Sequence, residues 1–215
     1  VGAALEQCYQ ETGKNPIQPY MSLYLGNSYS DEEVVADSKK FNFKITKVNK
    51  IDSAIDLIER GKVIGWFQGR AEFGARGLGN RSILSLATEQ KYKDVVNEKV
   101  KKREAWRPFC PTIIEEKSEE MLENSTYAPY MILGFDMKNP ELYPAVCHID
   151  GTTRPQILKK EVNPDFHKVV KGVGGIVLNT SFNLAGDPVV ETPYDAFMTL
   201  KNSEMDAVII NNFMV

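Results

Sequence analysis

Apolar and polar positions along the chain fall into short blocks that read as interleaved helices and strands. Ser30 with Glu33 three residues later makes a capping box for a helix over about residues 31–41, with Val34 and Val35 turned inward. "FKITKV", residues 43–48, alternates as a strand does. Asp52 is placed to cap a short helix over residues 53–60, with Gly61 as its left-handed terminator. "VIGWFQ", residues 63–68, is apolar on both alternating sets of positions and predicts a strand buried on both faces. In residues 88–104, Tyr92, Val95, Val96 and Val100 recur near helical spacing, which puts Lys93 and Lys99 on other faces. Pro108 and Pro111 close that helix. "SEEMLEN" predicts a short helix, and "CPTIIEE", "APYMILGFDM", "AVCHID", "PQILKKEV", "GIVLNTSF" and "DAVIINNFMV" predict strands. Thr192, Pro193 and Asp195 supply a cap, a first-turn proline and an acidic third position for a helix over residues 193–202. Helices and strands interleave without strict βα alternation. The pattern predicts an α/β fold in which a mixed, twisted sheet carries helices on both faces.

The first residues follow a different plan. Leu5, Cys8 and Tyr9 suit a helix ended by Gly13, with Pro16 beyond it. "NPIQPYMSLYLGNSYS" then reads as an extended connector, so residues 1–26 are expected to be a remnant helix and connector, and residues 27–215 the domain proper. The opening Val1-Gly-Ala-Ala-Leu carries neither an initiator Met nor a signal peptide, which fits a piece of a longer chain. No apolar run reaches the roughly 18 residues that a membrane span needs. Cys8, Cys110 and Cys147 are odd in number and far apart, arguing against a disulfide framework or a zinc site and making the cytoplasm the expected compartment. His148 and His167 form no ligand-spaced pair, so no protein-bound metal is expected.

The formal net charge is −3, yet residues 61–110 hold eleven Lys or Arg against five Asp or Glu, +6 locally and −9 for the remainder. Such concentration favours a focused anion site over general attraction to nucleic acid or membrane. Within it, Arg70, Arg76 and Arg81 are interleaved with Gly69, Gly74, Gly77 and Gly79 at the exit of a strand. Glycine lets backbone approach a ligand, and guanidinium matches phosphate or carboxylate oxygens. The spacing is neither a Walker pattern nor a dinucleotide fingerprint, and an inert loop with solvated charges has the same composition. In "KVKKREAWRPF", Lys99, Lys101, Lys102, Arg103 and Arg107 crowd a helix end, where cations are favoured in any case. Arg107, between Trp106 and Pro108-Phe109, reads as a partly buried guanidinium that requires an anion, so Lys101 and Arg107 are the preferred pair. "HIDGTTRPQ" is a tight turn at Asp150-Gly151 with Arg154 following, and its His148 reads as structural. "NTSFN", residues 179–183, places Thr180, Ser181 and Asn183 where a strand ends, and such ends point into ligand crevices or cap their own loops. No nucleophile–base arrangement and no carboxylate pair is evident. Chemistry driven by cations holding oxygens, as in phosphoryl or nucleotidyl transfer, remains.

"GWFQGRAEFGARGLGNRSIL", "KVKKREAWRPFCPTI", "HIDGTTRPQ" and "NTSFNLAGDPVVETPYDAF", in this order, resemble the C-terminal domain of the carbamoyltransferases typified by nodulation protein U and tobramycin carbamoyltransferase. The resemblance covers about residues 20–215 and implies a YrdC-like domain that binds ATP, with Mg²⁺, and carbamoyl phosphate. It implies that carbamoyl phosphate yields carbamate, which attacks the α-phosphate of ATP to give carbamoyl-adenylate and pyrophosphate. An upstream actin-like domain, of which residues 1–13 look like the final helix, would then pass the carbamoyl group to a hydroxyl acceptor such as a sugar and hold an iron-type metal. By the same resemblance Arg76 and Lys101 are the phosphate-binding pair and Arg107 a third cation. Arg154, Ser181 and Asn183 are similar to its remaining phosphate and nucleotide contacts, with Arg103 and Thr180 beside them. Ala75 stands where proline is usual and Gly77 where alanine is usual, giving a looser turn. Two other readings stay open: a nucleic-acid module using Trp66, Phe67 and Trp106 for stacking, and a non-catalytic nucleotide-binding or scaffolding role.

Overall fold

Four strands whose residues are buried almost without exception form the centre of an eight-stranded sheet, because each has an apolar layer on both sides. In the computed structural model, which describes residues 2–14 and 22–215, these are β2 (Ile64–Phe67), β3 (Arg81–Ser85), β4 (Cys110–Ile114) and β8 (Ile176–Ser181). The others are β1 (Thr46–Lys47), β7 (Gln156–Leu158), β9 (Ala207–Ile210) and β10 (Phe213–Met214), and the order is β1-β10-β9-β2-β3-β8-β4-β7. β2 with β9 and β4 with β7 are parallel, whereas β2-β3, β3-β8 and β8-β4 are antiparallel. β5 (Phe135–Asp136) and β6 (Thr152–Thr153) make a separate two-stranded piece.

The period of two along each strand sorts the core into two layers. Phe67, Ile83, Ile113, Leu178 and Val208 face one side, where they meet Val34 of α2 (Asp31–Lys40) and Phe197 of α7 (Pro193–Lys201). Ile64, Trp66, Leu84, Val177 and Ile209 face the other, against Ile58 of α3 (Lys50–Glu59) and Phe166 and Val170 of α6 (Pro164–Gly172). The mixed sheet with helices on both faces is therefore the expected one. Both capping boxes read from sequence are formed, Ser30 with Glu33 and Thr192 with Asp195. The first helix, α1 (Gly2–Thr12), ends at Gly13 in the left-handed region as expected and buries none of its residues. The Pro16 and Pro19 portion of the connector lies outside the described residues. No helix among the described residues is long and apolar enough to cross a membrane.

Several local expectations change. The third helix starts earlier than Asp52, since the Asn49 side chain accepts the amides of Ile51 and Asp52 and so caps it. "APYMILGFDM" contributes only β5, and "AVCHID" forms turns: Ala128, Met137, Ala145 and Val146 enter the core without joining the large sheet, whereas Ile132, Leu133 and Ile149 are exposed. Pro111 lies within β4 instead of ending a helix. The helix expected over residues 88–104 breaks into α4 (Gln90–Val95) and a π turn (Val96–Val100), followed by Lys102 in the left-handed region. The cause is Asn97, buried in that turn, whose side chain donates to the carbonyls of Ala105 and Arg107 and accepts from Arg103 Nε. These bonds fold the chain back on itself and aim Lys101 at the sheet.

Candidate functional site

Strand register brings the site's backbone together. Ser82 pairs with Ser181 and Cys110 with Asn179, so the start of β3, the end of β8 and the start of β4 lie at one end of the sheet. Arg154 precedes β7 at the same end, because Gln156 pairs in parallel with Thr112. The Gly- and Arg-containing loop returns to β3 here, and the π turn delivers Lys101. Arg76, Arg103, Arg154, Thr180 and Ser181 line one cavity of about 90 Å³ together with Gly77, Pro108 and Asn179. Among the described residues that line it, none is acidic. A larger cavity of about 440 Å³, lined by Tyr24, Leu78, Tyr130 and Ile157 among others, lies one residue further along the loop.

Lys101 is 3% exposed. Its ammonium donates to the Ser181 carbonyl and to Asn183 Oδ1 (2.7 Å), which also accepts from Ser181 Oγ (2.8 Å). Burial, with the positive charge of Arg103 as a smaller contribution, pushes its pKa down to about 7. Among the described residues this buried cation is held by neutral oxygens and by no carboxylate, so its charge is without a counter-charge. Arg103 lies over the Phe109 ring, its guanidinium carbon 4.7 Å from the centroid, and burial and then Arg107 pull its pKa down. Arg154 Nε and Asn179 Oδ1 are both shut off from solvent without a hydrogen-bond partner among the described residues. Both atoms belong to residues that line the one small cavity, whose hydrogen bonding is thus left incomplete. Arg76, exposed at the loop tip, makes no hydrogen bond or ion pair among the described residues.

Seven of the eight residues chosen from sequence thus converge, Arg76, Arg103, Arg154, Thr180 and Ser181 directly and Lys101 and Asn183 through one bond to Ser181. Arg107 does not. Its side chain is 47% exposed and pairs with Glu104 at 3.1 Å, because the π turn and the Phe109 contact give the inward place to Arg103 instead. Arg70 and Arg81 also leave the anion cradle. Arg70 donates to the carbonyls of Leu25 and Gly26, and fully buried Arg81 donates to those of Gln68, Gly69, Asn80 and Asn27 with its guanidinium stacked 3.5 Å from the Phe67 ring centroid. Trp66 and Phe67 are 0% and 1% exposed, and the Trp66 indole donates to the Gly79 carbonyl, so neither can stack on a nucleic-acid base. His148 bonds Thr152 Oγ1 at 3.1 Å, the structural role expected for it. Sequence reasoning missed Asn97, Glu72 and the buried chain Asn179–Thr112–Gln156, which ends on the Leu78 carbonyl and ties three strands to the loop. Asn179 was inside a quoted motif, but its partners come from two distant segments. Among the described residues no group of three or more His, Cys, Asp or Glu could hold a metal ion.

The fold is shared with full-length HypF in its phosphate- and nucleotide-bound form, at a TM-score of 0.59 and 17% identity over 77% of this chain and 25% of that one. Nodulation protein NolO of Bradyrhizobium diazoefficiens is 38% identical over 173 residues, 76% of this chain and 32% of its own length. The 3'-hydroxymethylcephem-O-carbamoyltransferase of Streptomyces clavuligerus is 30% identical over 192 residues, 86% of this chain and 37% of its own. The chain spans about a third of the length of the curated relatives it matches. Residues 55–215 match the model of the carbamoyltransferase C-terminus, and with that match over most of its length the chain belongs to the carbamoyltransferase C-terminal family.

Proposed function

We propose that this domain binds carbamoyl phosphate and Mg²⁺-ATP and forms carbamoyl-adenylate, which an upstream actin-like domain passes to a hydroxyl acceptor. The observation that carries the reading is the acid-free cavity where Arg76, Arg103 and Arg154 meet buried Lys101, with Arg154 Nε and Asn179 Oδ1 unsatisfied. Three guanidiniums around 90 Å³, with the Lys101 ammonium one hydrogen bond away behind Ser181, suit a phosphoryl or carbamoyl group, and the apolar cavity beyond Leu78 offers the room that a nucleoside needs. With no carboxylate among the described residues of the lining, Mg²⁺ would be held by the ATP phosphates themselves and would supply further charge neutralisation there. Water releases phosphate from carbamoyl phosphate to leave carbamate, and the chain's own part is to hold that carbamate against the α-phosphate and to balance charge that builds on the pyrophosphate leaving group. Family membership and the named carbamoyltransferase relative support a transferase. HypF in phosphate- and nucleotide-bound form supports nucleotide chemistry as the specific one.

Purified chain given Mg²⁺-ATP is expected to release pyrophosphate only when carbamoyl phosphate is present. Arg76→Ala should lose that release while shifting unfolding free energy by less than about 0.5 kcal/mol, because Arg76 is exposed and bonds nothing among the described residues. Release that is independent of carbamoyl phosphate would contradict the assigned order of reaction.

Lys101 adds a pH signature. In the ligand-free protein it is protonated below about pH 7 and neutral above. An anion binds the protonated form, so affinity is full below pH 7 and falls as pH rises through it, by up to about tenfold per unit until the complex's own pKa is reached. Sulfate, whose charge is constant from pH 6 to 9, isolates the effect in a calorimetric titration, and Lys101→Met should flatten it.

A further inference from the structure

We infer that Glu72 is the positioning residue of the Arg76 loop, holding Arg76 over the cavity without touching the anion; the identity of that anion rests on the reading above. Glu72 opens the loop and is absent from the cavity lining. Its Oε1 accepts three backbone N–H groups of the returning limb, from Leu78 at 2.6 Å, Asn80 at 2.7 Å and Arg81 at 3.1 Å. One oxygen at the entrance of the loop therefore gathers three amides at its exit and sets the distance between the two limbs.

Each limb is fixed from outside as well. On the entry side, Tyr24 bridges Glu72, the Phe73 amide donates to the Leu23 carbonyl (2.7 Å), and Ala71 and Asn27 are joined at 3.0 Å. Arg70 holds the same outer segment through the Leu25 and Gly26 carbonyls. On the exit side, the Leu78 carbonyl accepts both Tyr24 OH (2.8 Å) and Gln156 Nε2 (2.9 Å). Gly79, at φ 103°, leaves so little room that a Cβ there would lie 2.1 Å from the Phe166 ring. Between these two anchored limbs, residues 74–76 make no hydrogen bond among the described residues. The place of Arg76 is thus decided by the limbs that flank it, and Glu72 is the side chain that joins one limb to the other. Burial of Glu72 opposes its ionisation while the three N–H groups favour it, and Oε2 has no partner among the described residues. The carboxylate is accordingly committed to the loop amides and not to a surface ion pair.

The test measures binding of inorganic pyrophosphate by calorimetry on the whole chain, with Glu72→Ala and Glu72→Gln, each alone and combined with Arg76→Ala. Glu72→Ala is expected to weaken binding about tenfold or more, the loss of one charge-assisted contact, with faster amide exchange across residues 73–81. Glu72→Gln keeps an acceptor oxygen in the same place and should restore binding to within about threefold of the parent. In the Arg76→Ala background Glu72→Ala should add nothing, because its effect travels through Arg76. A fall in thermal midpoint with unchanged pyrophosphate affinity, or additive losses in the double variant, would overturn the inference. Should Glu72→Ala fail to fold, Glu72→Asp retracts the oxygen by one methylene and gives the same comparison. Pyrophosphate binding needs no turnover. Intact coupling between Glu72 and Arg76 with no carbamoyl-phosphate-dependent release would count against the proposed reaction and leave the positioning role standing.

Discussion

Lys101→Met is expected to lower carbamoyl-phosphate-dependent pyrophosphate release by about 10²–10³-fold, the cost typical of deleting one donor aimed at developing charge. Lys101 is buried and holds the carbonyl of Ser181, which lines the cavity on the β8 side, and Asn183 Oδ1 behind it. When an anion arrives, the ammonium gains a partner of opposite charge in surroundings from which water is excluded, which strengthens the interaction. Methionine replaces the aliphatic stem and removes the charge with its donors to Ser181 and Asn183. Alanine is the poorer test, because a side chain 3% exposed leaves a void when truncated. Stability of the Met variant should stay within about 1–2 kcal/mol of the parent, since removing a buried unpaired cation offsets the donors lost. A denaturant midpoint measured beside the rate separates the two effects. A variant that keeps most of its rate would remove Lys101 from the chemistry.

The second large effect is on folding. Arg81→Ala should destabilise the chain by about 3–5 kcal/mol, read as a lowered denaturant midpoint, because a buried charged network loses its centre. The guanidinium satisfies the carbonyls of Gln68, Gly69, Asn80 and Asn27 at once and covers the Phe67 ring. Burial pulls its pKa down to about 10, with Glu72 opposing that shift, so the guanidinium stays charged at neutral pH. Alanine would orphan the Gln68 and Gly69 carbonyls, leave those of Asn80 and Asn27 with only their backbone donors, and open a cavity between β2 and the loop. Arg76, five residues earlier in the same motif, is expected to show the reverse, loss of activity with little loss of stability. Equal stability losses at Arg76 and Arg81 would show that the division of labour within the motif is wrong.

What the sequence by itself determined is local and periodic. The Ser30/Glu33 and Thr192/Asp195 boxes, the left-handed Gly61 and the doubly buried β2 follow from neighbours within four residues or from a period of two, and these were legible. So was the set of positive and polar residues that meets at the cavity, since charge concentrated in one segment of an acidic chain needs a purpose. Tertiary structure alone decided which arginine faces where. Arg70, Arg76 and Arg81 share one glycine-rich context, yet two of them serve backbone carbonyls supplied partly by Leu25, Gly26 and Asn27, more than forty residues away in sequence. Arg103 displaced Arg107 from the inward position because Asn97 bends the helix end into a π turn, and its bonds to Ala105 and Arg107 carbonyls form only once the chain has folded back. The same is true of Glu72, an ordinary acidic residue in a loop until three amides converge on one of its oxygens. Short-range rules fix conformations whose partners are adjacent in the chain. The allocation of a charged side chain to ligand or to backbone depends on desolvation and on unsatisfied groups that distant segments bring together.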